Sequence, residues 1–499
     1  MKKALKDLTK DTFTYGFASF LGQIIGFLLL PIYTTHLSTK DYGIMAMLTF
    51  ISLFFAPLAN MGVTNAIFRR FNLHKDEFLQ IKSLSVGSIF VVFTSLAWFI
   101  AGFMFSKELT LLLVDEIKYE PLVKLCLVTS FFVSVGQIFT VVLRAQRRVM
   151  QISIVKVIQL LITVGCTIYF VVVLLKGVEG IILGTLIGSV FAFLIQYILC
   201  FKWFKFSTDF MELKALLKYG LPFLPHRLMA FGSGFLSQFF IKEFIGLSET
   251  GLYNIALRFA LPLAFIIGSI QSAWVPIKFQ VHREEGENSA LIFRQLISFY
   301  FIILLLLFAG SITFGPELLR VMTASEYHAA VYLVPFVLLI PVSQGIYFML
   351  GTGFEFTENT KPMPLVSGSG LLVLSVLGYF LIDVVGIYGV VFGLIASWLT
   401  MAILIRYFSN QRFYVPINFK LILKIVILFL LLVGVIFSIQ SLSLIPRLSI
   451  ESLTILAILA IFVYFIVFNE DLRTLNIQKY PLFNKLNKFI LPIRNLVKK

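Results

Sequence analysis

Apolar residues run along this chain in blocks of about 20, the length that carries a helix across a hydrocarbon core of ~30 Å. Fourteen such windows follow one another between residues 12 and 468, separated by short polar segments. The pattern predicts an all-α polytopic membrane protein of about 14 transmembrane helices. The first window, 12–34, is too long for a signal-peptide core and has no small-residue cleavage site after it, so it counts as a span.

Within some windows the polar positions recur at helical spacing. At about 100° per residue, His226, Arg227, Ala230, Ser233, Gly234, Ser237 and Gln238 share one arc of the window at 219–241. Phe231, Phe235 and Phe239 fall on the bulky, lipid-like arc. The next window repeats the arrangement with Gly251, Asn254, Arg258, Pro262, Ser269, Ser272 and Pro276, interrupted by Phe265. The first window has an uncharged version in Thr12, Tyr15, Ser19, Gly22, Gln23, Gly26 and Tyr33. Such stripes predict helices that line a shared wet interior.

The chain also echoes itself. LSTKDYGIMA at Leu37 returns as LSETGLYNIA at Leu247, and Gly177-x-x-Gly180-x-x-x-Gly184 returns as Gly386-x-x-Gly389-x-x-x-Gly393. The offset of about 210 residues spans six windows, an even number. The copies therefore enter the membrane from the same side, as parallel repeats with a substrate path expected between them. The expected lobes are 1–210 and 211–413, with 414–499 holding two further helices and a basic tail.

Composition agrees and charge adds direction. The chain is 59% hydrophobic and 13% charged, with a mean hydropathy of +0.96. With the amino terminus cytoplasmic, the inside segments collect 31 of the 41 Lys and Arg residues and the outside segments 8. Both termini are expected inside. The net charge of +16 is then a topology signal, which removes nucleic acid as an expected partner. Cys126, Cys166 and Cys200 lie in apolar windows without ligand spacing, so neither a disulfide nor a metal site is expected. No phosphate-loop motif and no segment long enough for a soluble catalytic domain appears, which argues against an enzyme and against a nucleotide cofactor.

Arg227 stands nine residues beyond Lys218, roughly 13 Å into the membrane at 1.5 Å per residue. A charge near the bilayer centre costs on the order of 2.5–3.5 kcal/mol and usually faces a cavity; the alternative is snorkelling back to the headgroups. Arg258, nearer the other surface, poses the same choice. No Asp or Glu falls in the middle of any window. A cation antiporter needs such a carboxylate, whereas arginine without one suits an anion, and guanidinium grips phosphate with paired charge-assisted hydrogen bonds. The candidate cavity residues are Arg227, Arg258, His226, Gln23, Asn60, Asn65, Gln238 and Asn254. The amides could serve sugar hydroxyls or bond helix to helix. Candidate hinges are Gly22, Gly26, Pro31, Pro222, Pro225, Gly232 and Gly234.

The stretches LPIYTTHLSTKDYGIMAM (from Leu30), GVTNAIFRRF (ending at Phe71), LRAQRR (from Leu143), FIGLSETGLYNIA (from Phe244), AWVPIKF (from Ala273) and ELLRVMTASEYHAA (from Glu317) resemble the polysaccharide-transporter branch of the multidrug/oligosaccharidyl-lipid/polysaccharide exporter superfamily. The resemblance implies two six-helix lobes forming a V-shaped cavity in a bacterial inner membrane. It further implies alternating access that flips a polyprenyl-pyrophosphate-linked glycan beside a polysaccharide polymerase. Arg227 and Arg258 match the cationic lumen residues thought to meet the pyrophosphate. Two departures stand out: Ser237 and Gln238 replace an acidic–basic pair common in the family, and fourteen helices is the count of lipid II flippases, whose extra pair cradles the lipid tail. A lipid II flippase and a cation-coupled drug antiporter are the alternative readings.

Overall fold

The computed structural model of the chain describes residues 21–461 apart from 74–75, 204–206, 208, 357–360, 443–445, 448, 452, 455–456 and 458–459. Thr12, Tyr15 and Ser19 of the first stripe, most of the fourteenth window and the basic tail lie outside the described residues. Every other segment is helix, turn or loop, as lipid requires when backbone groups must bond within their own segment. Among the described residues, nine helices are long and apolar enough to cross a membrane, or ten if a bent pair counts as one span. The chain is a multi-pass membrane protein. It packs as two compact units, Met1–Asn254 and Ile255–Lys499.

In the first unit, α1 (Leu21–His36) carries a turn at Leu29, just before Pro31. Helix α2 (Thr39–Asn60) starts at a capping box, with Ser38 accepting from the Asp41 amide and Asp41 accepting from that of Ser38. It ends at Met61 and Gly62, both at positive φ. Then come α3 (Val63–Leu73), α4 (Glu77–Met104), α5 (Ser106–Val114), α6 (Glu120–Ala145), α7 (Val149–Ile168), α8 (Gly177–Cys200), α9 (Phe210–Gly220) and α10 (Leu224–Phe244). Val63, Ile67, Leu84, Phe139, Leu143 and Leu216 build an apolar cluster joining α3, α4, α6 and α9. Helix–helix attraction in lipid comes from close packing rather than from expelled water, and small residues supply it here. Ser85, Ser88, Ser95, Ser130 and Ser134 are all buried.

Helix α11 (Leu247–Glu285) begins in the first unit and runs on into the second. It continues well past the expected window because nothing in the polar run after Pro276 stops it before Gly286, at φ +54°. The second unit adds α12 (Ser289–Met322), then a short 3₁₀ segment, Ser325–Tyr332, bent by 52° from α13 (Val334–Leu350). Pro335 lies in the first turn of α13, where its missing N–H costs nothing. Helices α14 (Met363–Val385), α15 (Ile387–Asn410) and α16 (Phe419–Ile439) follow.

The paired glycine motifs do the same work inside each unit. A Cβ on Gly184 would meet the Thr167 hydroxyl of α7 at 2.2 Å, and one on Gly393 would meet the Gly378 amide of α14 at 3.0 Å. The helix-six and helix-twelve copies of the repeat thus each let a helix lie close against the one before it. Helix α16 docks on α12 through Phe308 and Phe429, with ring centroids 4.8 Å apart. It buries Leu421, Ile425, Phe429 and Val433 and leaves Leu423, Ile427 and Leu430 exposed to lipid.

Candidate functional site

Helix α10 carries the densest set of candidate residues. The chain approaches it through a 3₁₀ turn at Leu221–Phe223 that holds Pro222, and Pro225 sits in its first turn. Proline fits both places because the first N–H groups of a helix lack partners anyway. The helix then places Arg227 half-buried, its Nη2 3.5 Å from Asn65 Oδ1 of α3, a long contact with a neutral amide. The side chain of His226 lies outside what the structure describes.

The remaining candidates separate into two kinds. Asn254 Nδ2 donates to Gln238 Oε1 at 2.9 Å, joining α11 to α10. Asn60 is fully buried, and its amide donates to the Ala56 carbonyl and to Gln137 Oε1 at 3.1 Å. These three residues bond helix to helix. Gln23 is exposed. Among the hinge candidates, a Cβ on Gly22 would meet nothing within 4 Å, and one on Gly234 would lie 3.8 Å from Phe50. Gly26 and Gly232 are half-buried.

The bulky arc of α10 differs from its expected lipid-facing role. Phe231, Phe235 and Phe239 stack along the helix at 5.6 and 5.4 Å, and Phe50 and Phe54 of α2 pack against the first two. The row is a seam between α2 and α10. Aromatic pairs at these distances contribute about 0.5–1.5 kcal/mol each beyond simple contact.

Two close contacts flank that seam. At one end α2 and α11 cross backbone to backbone: a Cβ on Gly43 would lie 1.8 Å from the Leu247 carbonyl oxygen, and one on Gly251 would lie 2.0 Å from that of Thr39. The crossing is built from both copies of the Leu-Ser motif. At the other end Gly62, at φ +71°, faces Gly220, whose carbonyl oxygen would stand 2.1 Å from an added Cβ. Near the first crossing Lys242 donates to Asp115 Oδ1 at 2.5 Å, to Glu243 Oε2 at 3.0 Å and to the Leu112 carbonyl at 3.2 Å. Lys242 was not among the residues singled out in the sequence.

In the second unit, Arg258 is half-buried on α11 and makes no hydrogen bond or ion pair among the described residues. Further along the same face Pro262, Ser269, Ser272 and Pro276 are exposed. The two serine hydroxyls are satisfied by the Phe265 and Gly268 carbonyls of their own helix.

Residues 36–332 match a family described as polysaccharide biosynthesis protein. No curated protein matches the sequence. Three solved structures show the same fold at low identity. A multidrug resistance MATE family transporter of the MOP superfamily, in an inward-facing conformation, has a TM-score of 0.62 and 16% identity, covering 81% of this chain and 95% of its own. The lipid II flippase MurJ, in an inward closed conformation, has a TM-score of 0.62 and 16% identity, covering 90% and 98%. A MOP superfamily transporter from Pyrococcus furiosus has a TM-score of 0.56 and 17% identity, covering 82% and 95%.

Proposed function

Because the chain belongs to the family of polysaccharide biosynthesis proteins, matched over residues 36–332, we propose that it is a flippase for polyprenyl-pyrophosphate-linked oligosaccharide repeat units. It carries them from the inner to the outer leaflet of a bacterial cytoplasmic membrane by alternating access, with both termini inside, and hands them to a polysaccharide polymerase. The observation that carries the reading is Arg258, half-buried in a membrane helix and without an ion pair among the described residues. Arg227, which meets the amide of Asn65 and has no ion pair among the described residues, supports it. A guanidinium at such depth is costly unless an anion joins it, and phosphate matches its fork of donors. A cation antiporter would need the opposite charge.

The lipid II flippase is the second reading, favoured by the docking of α16 on α12, since an added helix pair suits a long lipid tail. Both readings place a pyrophosphate against arginine, and the sugar separates them. The test measures lipid-linked repeat unit reaching the outer leaflet in cells expressing wild type, Arg227→Ala or Arg227→Lys at matched levels. Loss in the alanine variant with partial recovery in the lysine variant is the expected result. Equal transport in all three would remove Arg227 from the site, and lipid II appearing in place of the repeat unit would establish the second reading.

A further inference from the structure

We infer that the far end of α11 holds a separate docking site for a phosphate-linked sugar headgroup, built on Arg283, Gln280 and Phe279. The inference rests on the flippase reading for the identity of its ligand, but its geometry lies wholly in the second unit. An open surface depression of about 500 Å³ is lined by Pro276, Phe279, Gln280, His282 and Arg283.

Arg283 is exposed and makes no ion pair or hydrogen bond among the described residues. Its acidic neighbour Glu284 accepts from Gln280 Nε2 at 2.9 Å. The guanidinium is left available, close to a hydrogen-bonding amide. The wall beside it is aromatic and fixed. His282 stacks on Phe356 with centroids 4.1 Å apart, and its Nδ1 lies 3.2 Å from Ser289 Oγ. Phe279 meets Phe356 edge-on at 5.7 Å while remaining 44% exposed. Behind it the fully buried Lys278 places its ammonium 5.6 Å from the Phe279 ring centre. The site offers one free cation, a second positive charge beneath, and an open aromatic surface. These are the requirements of an anion joined to a sugar.

Position gives the site its role. Arg283 follows Arg258 by 25 residues on one continuous helix, which at about 100° per residue returns it to within roughly 20° of the same face. At 1.5 Å per residue the separation is about 37 Å, longer than the hydrocarbon core of ~30 Å. With Arg258 within the membrane, Arg283 therefore stands beyond the hydrocarbon core, on the side the charge pattern puts inside. Exposed Pro262, Ser269, Ser272 and Pro276 lie on the face between them. The pyrophosphate of a polyprenyl-linked glycan rests at headgroup level before it crosses, and the Arg283 side chain, reaching back toward the membrane surface, would meet it there.

The test uses the full chain in lipid nanodiscs with a photo-crosslinking amino acid in place of Pro276, which lines the same depression, and radiolabelled farnesyl pyrophosphate as probe. The expected result is a crosslink that inorganic pyrophosphate competes away and excess phosphatidylglycerol does not. Arg283→Gln should weaken the apparent affinity about tenfold and Arg283→Lys should recover part of it, while Arg258→Gln leaves the crosslink in place. An unchanged crosslink in Arg283→Gln overturns the site. Competition by phosphatidylglycerol as effective as by pyrophosphate overturns its ligand and makes it a bulk-lipid contact. The outer-leaflet assay separates this from the flippase reading. Transport with no Arg283-dependent crosslink sinks the docking site alone, and an Arg283-dependent crosslink without transport of lipid-linked sugar sinks the flippase reading alone.

Discussion

Lys242 Nζ lies 2.5 Å from Asp115 Oδ1, with the lysine side chain only 1% exposed and the aspartate 60% exposed. The same ammonium meets the Leu112 carbonyl in the last turn of α5, where a cation interacts well with the helix dipole. One side chain thus clasps the end of α10 to the end of α5. Lys242→Met should free α5 and speed amide exchange over residues 106–114 several-fold. Asp115→Asn should do less, because Glu243 and the carbonyl still hold the lysine and the exposed partner is screened by water. Exchange unchanged in both variants would mean the pair clasps nothing.

The crossing of Gly43 and Gly251 leaves no room for a side chain. An alanine at Gly43 would set its Cβ 1.8 Å from a backbone oxygen, which no rotamer can relieve. Gly43→Ala and Gly251→Ala should each force α2 and α11 apart at this end. Spin labels at Lys40 and Glu249 are expected to report a mean separation a few ångströms greater than in the parent. A distance distribution like that of the parent would show that the crossing tolerates a methyl group.

The helices were legible because lipid leaves a long apolar run little choice but a helix. The capping box was not drawn from the sequence, although Ser38 and Asp41 act across only three residues. What else escaped was tertiary. Lys242 meets Asp115 across 127 positions, and no local pattern links them. The Phe231, Phe235 and Phe239 row has the same periodicity whether it faces lipid or the phenylalanines of α2, so only packing decides. Asn60 likewise sits where either a cavity or a helix contact would place it, and its bond to Gln137 of α6 spans 77 positions. The extension of α11 beyond residue 277 was hidden because polarity marks the membrane edge and says nothing about where a helix stops. The Arg283 site lies in that extension.

Glu317 joins α12 to the segment after α16. It pairs with Arg320 one turn on and with Arg447 Nε at 2.8 Å, while Arg320 Nη2 donates to Gln440 Oε1 at 2.6 Å. The carboxylate is shared by two arginines, and losing it leaves them facing each other. Glu317→Gln should weaken the docking of α16 and open residues 440–442 to proteolysis. The cost is on the order of 1–3 kcal/mol for charged hydrogen bonds at partly exposed positions. A double variant, Glu317→Gln with Arg447→Gln, should recover part of the protection because it removes the repulsion as well. Protection equal to the parent in the single variant would assign the docking to apolar contacts such as Phe308 with Phe429 alone.

Helix α9 is held by charge at two points. Glu212 accepts from Arg70 Nη1 at 2.8 Å and from the Ser83 hydroxyl at 2.5 Å. Asp209 caps the helix through the Glu212 amide and pairs with Lys82 at 2.5 Å. The Lys82 ammonium, and after it that backbone amide, hold the Asp209 carboxyl below its ordinary range. A depressed pKa in the folded state means the contribution is fully present above the ordinary aspartate value of about 3.9 and is lost as pH falls through the lower folded value. Docking of α9 should therefore be indifferent to pH from about 8 down to about 5 and loosen only below about 4. Asp209→Asn should remove the Lys82 ion pair and that acid transition while keeping a cap, since asparagine caps helices as well as aspartate. Amide exchange over residues 210–220, followed across pH in parent and variant and corrected for intrinsic rates, measures both. A loosening that sets in near neutral pH, or that Asp209→Asn leaves in place, would move the control of α9 to another group.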